Sequence, residues 1–180
     1  MLRQAAGLAA LLAGGRILAL AAENPQILTC DKLTLARPEQ AGVTYKGLVS
    51  NSDYRFDATI PKGLVGLGAA DVAPFHGFAI FLGQSACIVF EIQLIVVLPD
   101  DSPASPPERR VPVRFGNRLG LGNSWVGTVH GRRYLNTYVD LELPRSGYKN
   151  AASVYLVTPV DERSATEPVF RSFLASFKFW

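Results

Sequence analysis

The segment from Cys87 to Leu98 constrains the fold most, because almost all of it is apolar. Every even position from Ile88 to Leu98 is apolar, and so are most of the odd positions, with Glu91 and Gln93 as the polar ones. A strand that is apolar on one face and half apolar on the other belongs in the middle of a sheet. We therefore predict a sheet with this segment as a central strand.

Other strands and loops are predicted from the alternation of apolar and polar residues and from the positions of proline and glycine. Apolar and polar side chains alternate from Tyr54 to Ile60, which predicts a strand with one buried face. The segment Val111 to Val113 is typical of an edge strand, since Pro112 cannot donate to a ladder. The glycines of residues 116–123 predict a loop.

The C-terminal segment predicts the helix. Phe170, Phe173, Leu174 and Phe177 follow the i, i+3, i+4, i+7 spacing of a helix face that packs on a sheet. Ser164 and Glu167 have the spacing of a capping box. Together, the predicted strands and helix indicate an α+β layered sandwich in which the C-terminal helix packs on an antiparallel sheet of about six or seven strands.

The N-terminal residues 1–22 have the features of a signal peptide. Arg3 precedes an Ala/Leu-rich run, and Ala19-Leu20-Ala21 fits the small-x-small cleavage rule. An uncleaved amphipathic or disordered tail is the alternative. We expect a periplasmic or secreted protein whose residues 23–180 form a single domain, with no stable membrane span after cleavage.

The two cysteines, Cys30 and Cys87, are expected to form one disulfide in an oxidising compartment. Two buried free thiols are the alternative. A catalytic thiol at Cys87, assisted by His76 or His130, is disfavoured because Cys87 opens the most apolar strand. Two cysteines and two histidines without paired spacing exclude a structural zinc site, and we expect no cofactor.

The charges are divided unevenly along the chain. Residues 23–108 carry 5 basic and 10 acidic side chains, a net of −5, whereas residues 109–149 carry 8 basic and 2 acidic, a net of +6. The two halves either pair with each other or offer a basic surface to an anionic partner. Nucleic acid is not an expected partner, because the net charge without residues 1–22 is small.

Several residues are candidates for binding a partner. Phe75 and His76 lie in a glycine-flanked turn beside aromatic residues, and the basic hairpin segment after Trp125 adds further polar side chains. The complete set of candidates is Phe75, His76, Trp125, His130, Arg132 and Arg133. For the stretch around His76, the alternative is a turn at the start of a strand in which the histidine bonds the backbone.

Two short segments resemble a known family. The segment FRSFLASFKF (Phe170 to Phe179), after the strand Ser153 to Val160, is similar to the closing strand–helix–strand unit of the Mog1/PsbP-like α/β/α sandwich family. The segment YRFDATIPKG (Tyr54 to Gly63) resembles that family's opening strand. The resemblance implies a non-enzymatic binding or assembly role and provides no catalytic residues.

The leading hypothesis is therefore a secreted or periplasmic, non-enzymatic domain that binds another protein, for example an inhibitor or immunity protein against an enzyme or toxin that acts on the cell envelope. A second hypothesis is a small-molecule or glycan-binding domain that uses residues 116–123, Trp125 and nearby arginines. A third is an envelope hydrolase that uses Glu91, whose pKa would rise in an apolar strand. The alternative is that Glu91 and Gln93 face solvent or pair with an arginine such as Arg132.

Overall fold

The computed structural model describes residues 27–32, 41–69, 77–96, 110–145 and 148–180. The predicted signal peptide, Phe75 and His76 lie outside these residues. The described strands are β1 (Ala41–Tyr45), β2 (Leu48–Asn51), β3 (Phe56–Thr59), β4 (Gly66–Ala69), β5 (Gly77–Phe81), β6 (Cys87–Val96), β7 (Val111–Phe115), β8 (Arg118–Val129), β9 (Arg132–Arg145), β10 (Tyr148–Pro159) and β11 (Lys178–Phe179). One helix, α1 (Arg163–Ala175), follows a 3-10 turn at Val160–Glu162.

The strands form two antiparallel sheets. The larger has eight strands in the order β1-β4-β5-β6-β10-β9-β8-β7, and the smaller has three in the order β11-β3-β2. The prediction of an antiparallel sheet with a C-terminal helix is confirmed. The predicted strand count is too low, since the described residues contain eleven strands.

Glycine-rich segments account for part of this difference. Residues 116–123, predicted as a loop, lie mostly in β8, and the Gly-rich segment before residue 70 contributes β4. Glycine weakens a strand on its own, but it suits one that another chain segment approaches closely. A Cβ on Gly122 would lie only 2.6 Å from Val113 Cγ2 on the neighbouring strand. Glycine therefore suits this position of the strand, because the neighbouring strand leaves no room for a side chain. Such a contact between strands cannot be detected from the local sequence.

The central position of β6 is confirmed. It pairs with β5 on one side and with β10 on the other. Ile88, Phe90 and Ile92 are buried in the main core, whereas Cys87 and Val89 belong to a smaller cluster on the opposite face. We call the face that carries Ile88 the inner face of the large sheet and the face that carries Val89 the outer face.

The predicted alternation of residues 54–60 is also confirmed, because Tyr54, Phe56, Ala58 and Ile60 are all buried. Its strand, β3, nevertheless lies in the small sheet, between β2 and β11, and does not share a sheet with β6. The C-terminal residues of the chain supply the partner for β3, so this pairing depends on contacts between distant parts of the sequence.

The helix and the small sheet cover the inner face of the large sheet. Phe170, Phe173 and Leu174 of α1 are buried, as is Phe177 just after it. The ring of Phe177 lies 4.8 Å from that of Phe115 and 4.9 Å from that of Phe90, measured between centroids. The predicted helix face is therefore confirmed as core packing.

The predicted capping box is wrong. The helix begins at Arg163, with Glu162 at the N-cap and no capping bond from its side chain. Glu167 does not reach back to the start of the helix, because its two oxygens accept hydrogen bonds from Arg163 and Arg171. Two guanidinium groups on the same helix face compete successfully with a single backbone N–H for that carboxylate.

The N-terminal described segment lies on the outer face. Ile27 to Thr29 has no regular structure and Cys30–Lys32 is a 3-10 turn. Cys30 forms a disulfide with Cys87 at the start of β6, with a sequence separation of 57 residues. The predicted disulfide is therefore present, and it attaches the N-terminal segment to the central strand.

Candidate functional site

An open groove lies between α1 and the inner face of β7, β8 and β9, with a volume of about 740 Å³. The groove runs along α1, because its lining includes residues from Arg163 at the start of the helix to Ala175 at its end. On the sheet side, residues of β7, β8 and β9 line it.

The floor of the groove is apolar. Leu135 and Val139 on β9 and Phe170 and Leu174 on α1 are each at least nine-tenths buried. Val111 on the edge strand β7 forms a rim and is 58% exposed. A concave, mainly apolar site of this size matches the pockets that hold small molecules in proteins.

A hydroxyl pair lies on the sheet side of the groove. Ser124 on β8 and Thr137 on β9 face each other across the strand pair, with 2.9 Å between their hydroxyl oxygens. Both residues line the groove. They give an otherwise apolar wall one position where a ligand can form a hydrogen bond.

Three charged side chains form the helix side of the groove. Arg163 Nε donates to Glu167 Oε2 and Arg171 Nη2 donates to Glu167 Oε1, both at 2.7 Å. The spacing of four residues places all three on one helix face. Hydrogen bonds from Arg163 and Arg171 lower the pKa of Glu167 to about 2. We call these three residues the arginine–glutamate cluster.

The carboxylate of the groove stays in its ionised form. Glu167 is the only carboxylate among the described lining residues. With a pKa of about 2 it remains ionised near neutral pH and therefore does not suit a general acid. In the part of the chain that the structure describes, no group of three or more His, Cys, Asp or Glu side chains is arranged to hold a metal ion.

Three of the residues predicted as partner-binding lie at the tip of the β8–β9 hairpin. His130 and Gly131 both have positive φ, 48° and 79°, as a tight type I′ turn requires. Arg132 donates to Glu162 Oε1 at 2.7 Å and to Ser85 Oγ at 3.0 Å, so it connects three parts of the chain and does not pair with Glu91 in these contacts. Arg133 is exposed. These residues do not line the groove.

Trp125 lies apart from both the hairpin tip and the groove. It pairs with Asn136 across β8 and β9, on the outer face of the sheet. Its ring N–H is buried and has no hydrogen-bond partner among the described residues. The predicted combination of Trp125 with residues 116–123 in one site is not formed: Gly122 and Asn123 line the groove, but Trp125 does not.

Glu91 also lies on the outer face. It pairs with Ser153 of β10 and with Gly77 of β5. Tyr155 is close enough for Glu91 to contribute to the raised pKa of its phenol, although burial is the larger cause. Glu91 is therefore separated from the groove by the sheet.

The arginine–glutamate cluster was not among the predicted site residues. The signal was present in the sequence as an Arg, a Glu and an Arg at intervals of four residues. The capping-box interpretation assigned Glu167 to the helix start and so obscured it. The groove itself depends on how α1 lies over β7, β8 and β9, which no local sequence pattern shows.

Comparison with known proteins yields likenesses of fold. No protein-family profile and no curated protein sequence matches the chain. The chain is similar to LpqN, a protein involved in cell envelope biogenesis of Mycobacterium tuberculosis, with a TM-score of 0.56 and 12% identity over 76% of this chain and 91% of that chain. A protein from Bacteroides thetaiotaomicron gives a TM-score of 0.50 and 9% identity over 75% of this chain and 48% of that chain.

A cyanobacterial PsbP protein from Synechocystis gives a TM-score of 0.41 and 12% identity, over 77% of this chain and 96% of that chain. At such identities these likenesses concern the fold alone. A PsbP protein, from the family that the sequence resemblance named, is thus among the structures found in the comparison.

Proposed function

We propose that this protein is an extracytoplasmic, non-enzymatic binding domain that takes a small, mainly apolar molecule in the groove between α1 and β7–β9. The observation that carries the proposal is the groove itself, with its volume of about 740 Å³ and its floor of buried apolar side chains. Pockets of this kind bury most of a small ligand's surface, and the apolar contact supplies most of the affinity.

Two observations support the proposed location. The Cys30–Cys87 disulfide is the kind of cross-link that persists in oxidising compartments. LpqN, whose fold the chain shares, takes part in cell envelope biogenesis. Among the described residues, no helix is long and apolar enough to cross a membrane.

Binding of an uncharged fluorescent dye tests the proposal. Nile red becomes brighter in apolar surroundings, so titration with the purified protein should give a saturable rise in fluorescence. Ser124→Trp places a large ring in the groove and should weaken binding at least about tenfold, the effect of losing about 1.4 kcal/mol. Thr128→Trp is the matched control, because Thr128 lies on the same strand and face but does not line the groove.

The wild-type protein and Thr128→Trp should bind the dye alike. Equal binding by all three proteins would place the dye elsewhere and contradict the proposal, as would a lack of saturable binding by the wild type. Circular dichroism confirms that each variant keeps its fold.

A protein partner is the second candidate, and the exposed edge of the large sheet favours it. Strand β7 is the last strand of the sheet, and Leu119 and Leu121 beside it are 71% and 41% exposed. Edge strands with exposed apolar side chains are common binding sites for partner proteins. An inhibitor or immunity protein against an envelope enzyme is the specific form of this proposal.

A pull-down with tagged protein from the native extract tests it. The wild type should recover a stoichiometric partner, and Leu119→Lys should lose it. Leu48→Lys, at a position that is 68% exposed in the small sheet, is the control and should retain it. Recovery of no partner, or equal recovery by Leu119→Lys, would count against this candidate.

A further inference from the structure

The arginine–glutamate cluster retains donors that Glu167 does not use. A guanidinium carries five N–H groups. Arg163 engages only Nε and Arg171 only Nη2 in bonds to the shared carboxylate. Their side chains are 56% and 75% exposed, against 24% for Glu167. The acid therefore lies between two arginines whose other nitrogens remain accessible beside the apolar floor.

The cluster also has one surplus positive charge. Two arginines and one glutamate give a net of +1, and Glu167 remains ionised near neutral pH because its pKa is about 2. Among the residues that the structure describes, Arg114 is the one other charged residue lining the groove. Val113 packs against the main core and Phe115 is buried in it, so strand alternation directs the Arg114 side chain to the opposite face.

We propose that the ligand of the groove is a long-chain monocarboxylate, which lays its alkyl chain on Leu135, Val139 and Phe170 and its carboxylate on the unused N–H groups of Arg163 and Arg171. This assignment rests on the groove being a binding site at all. It adds the chemical class of the ligand and the residues that select it.

Charge and geometry both favour this class. The guanidinium fork matches the planar carboxylate and forms charge-assisted bonds with it, as both arginines already do with Glu167. A monocarboxylate completes a neutral set of two arginines and two carboxylates. An uncharged head group leaves the surplus charge unpaired, and an ammonium head group is repelled by it.

Competition against bound Nile red by four probes, at concentrations at which none forms micelles, tests the assignment. The probes are dodecanoate, uncharged dodecyl glucoside, dodecylammonium and acetate. Dodecanoate should displace the dye at a concentration roughly tenfold lower than dodecyl glucoside does, since a hydrogen bond to a charged group contributes about that factor. Dodecylammonium should be the weakest of the three long-chain probes, and acetate should not compete at similar concentrations.

Variants then identify the selecting residues. Arg163→Gln and Arg171→Gln should each remove most of the preference for dodecanoate over dodecyl glucoside, with the two probes compared within each variant. Arg133→Gln is the matched control, because Arg133 is an exposed arginine of β9 outside the groove, and it should keep the preference.

Three results would overturn the assignment: equal competition by dodecanoate and dodecyl glucoside, competition by acetate at the same concentration as dodecanoate, or a preference that survives both arginine substitutions. If Nile red still binds in the groove in those cases, the binding function stands and only the ligand class is wrong. If Nile red does not bind to the wild type, both proposals fail.

Discussion

The side chain of Asn136 forms hydrogen bonds with both backbone groups of Leu28. The N–H of Leu28 donates to Asn136 Oδ1 at 2.7 Å, and Asn136 Nδ2 donates to the carbonyl of Leu28 at 3.1 Å, although 108 residues separate the two in sequence. The side chain of a β9 residue thus acts toward Leu28 as a neighbouring strand would. Two residues further on, Cys30 forms the disulfide with Cys87. The N-terminal segment is therefore attached to the outer face at two adjacent points.

Asn136→Ala should destabilise the fold by about 1–3 kcal/mol, because it leaves the two backbone groups of Leu28 without their partner at a residue that is itself 2% exposed. Urea unfolding measures the change. Asn123→Ala is the control: its side-chain oxygen accepts only from the next residue's N–H, and its loss should cost less than about 0.5 kcal/mol. Equal stability of Asn136→Ala and the wild type would contradict this reading of the contact.

Replacing Cys30 and Cys87 together with alanine should lower the free energy of unfolding by about 4 kcal/mol, because the disulfide closes a loop of 57 residues in the unfolded chain. Denaturant unfolding with and without a reducing agent measures the same quantity in the wild type. The double variant should show no further change on reduction. Native protein from an oxidising compartment whose two thiols react freely with a labelling reagent would refute the pairing.

The arginine–glutamate cluster should make stability depend on pH in the acid range. The pKa of Glu167 is lowered from 4.5 to about 2 in the folded protein, so between these values the unfolded state binds more protons. The stabilisation is complete above pH 4.5 and is lost as the pH falls through about 2. Because both arginines are largely exposed, its size is about 0.5–1 kcal/mol.

Glu167→Gln removes this dependence. Near pH 7 the variant should be less stable than the wild type by that amount, and the difference should disappear toward pH 2. Urea unfolding at a series of pH values measures both curves. Curves that remain a constant distance apart down to pH 2 would show that Glu167 does not carry the effect.

Local sequence patterns predicted those elements whose packing depends on side chains that are close together in the sequence. The apolar run of β6, the helix face of Phe170, Phe173 and Leu174, and the edge position of Pro112 all follow from side-chain chemistry within a few residues. The placement of β3 did not follow, because its sheet partner β11 lies at the far end of the chain.

The site was less predictable than the fold. The groove lies between α1 and three strands of the large sheet, which is a relation between elements and leaves no motif. The sequence analysis instead predicted Trp125 and Arg132 as binding residues. Arg132 proves to bind Glu162 and Ser85, which gives it a structural role at the hairpin tip.

Amide chemical-shift mapping with dodecanoate shows whether the groove binds a long-chain carboxylate. On isotopically labelled protein we expect saturable shifts for Val111, Val113, residues 122–124 and the non-proline residues of 163–175, which line or flank the groove, and unchanged shifts for residues 48–51 of β2 in the small sheet. The Ser124→Trp variant should lose these shifts and Thr128→Trp should keep them. Shifts confined to residues outside the groove, or no shifts up to the solubility limit of the probe, would contradict binding in the groove.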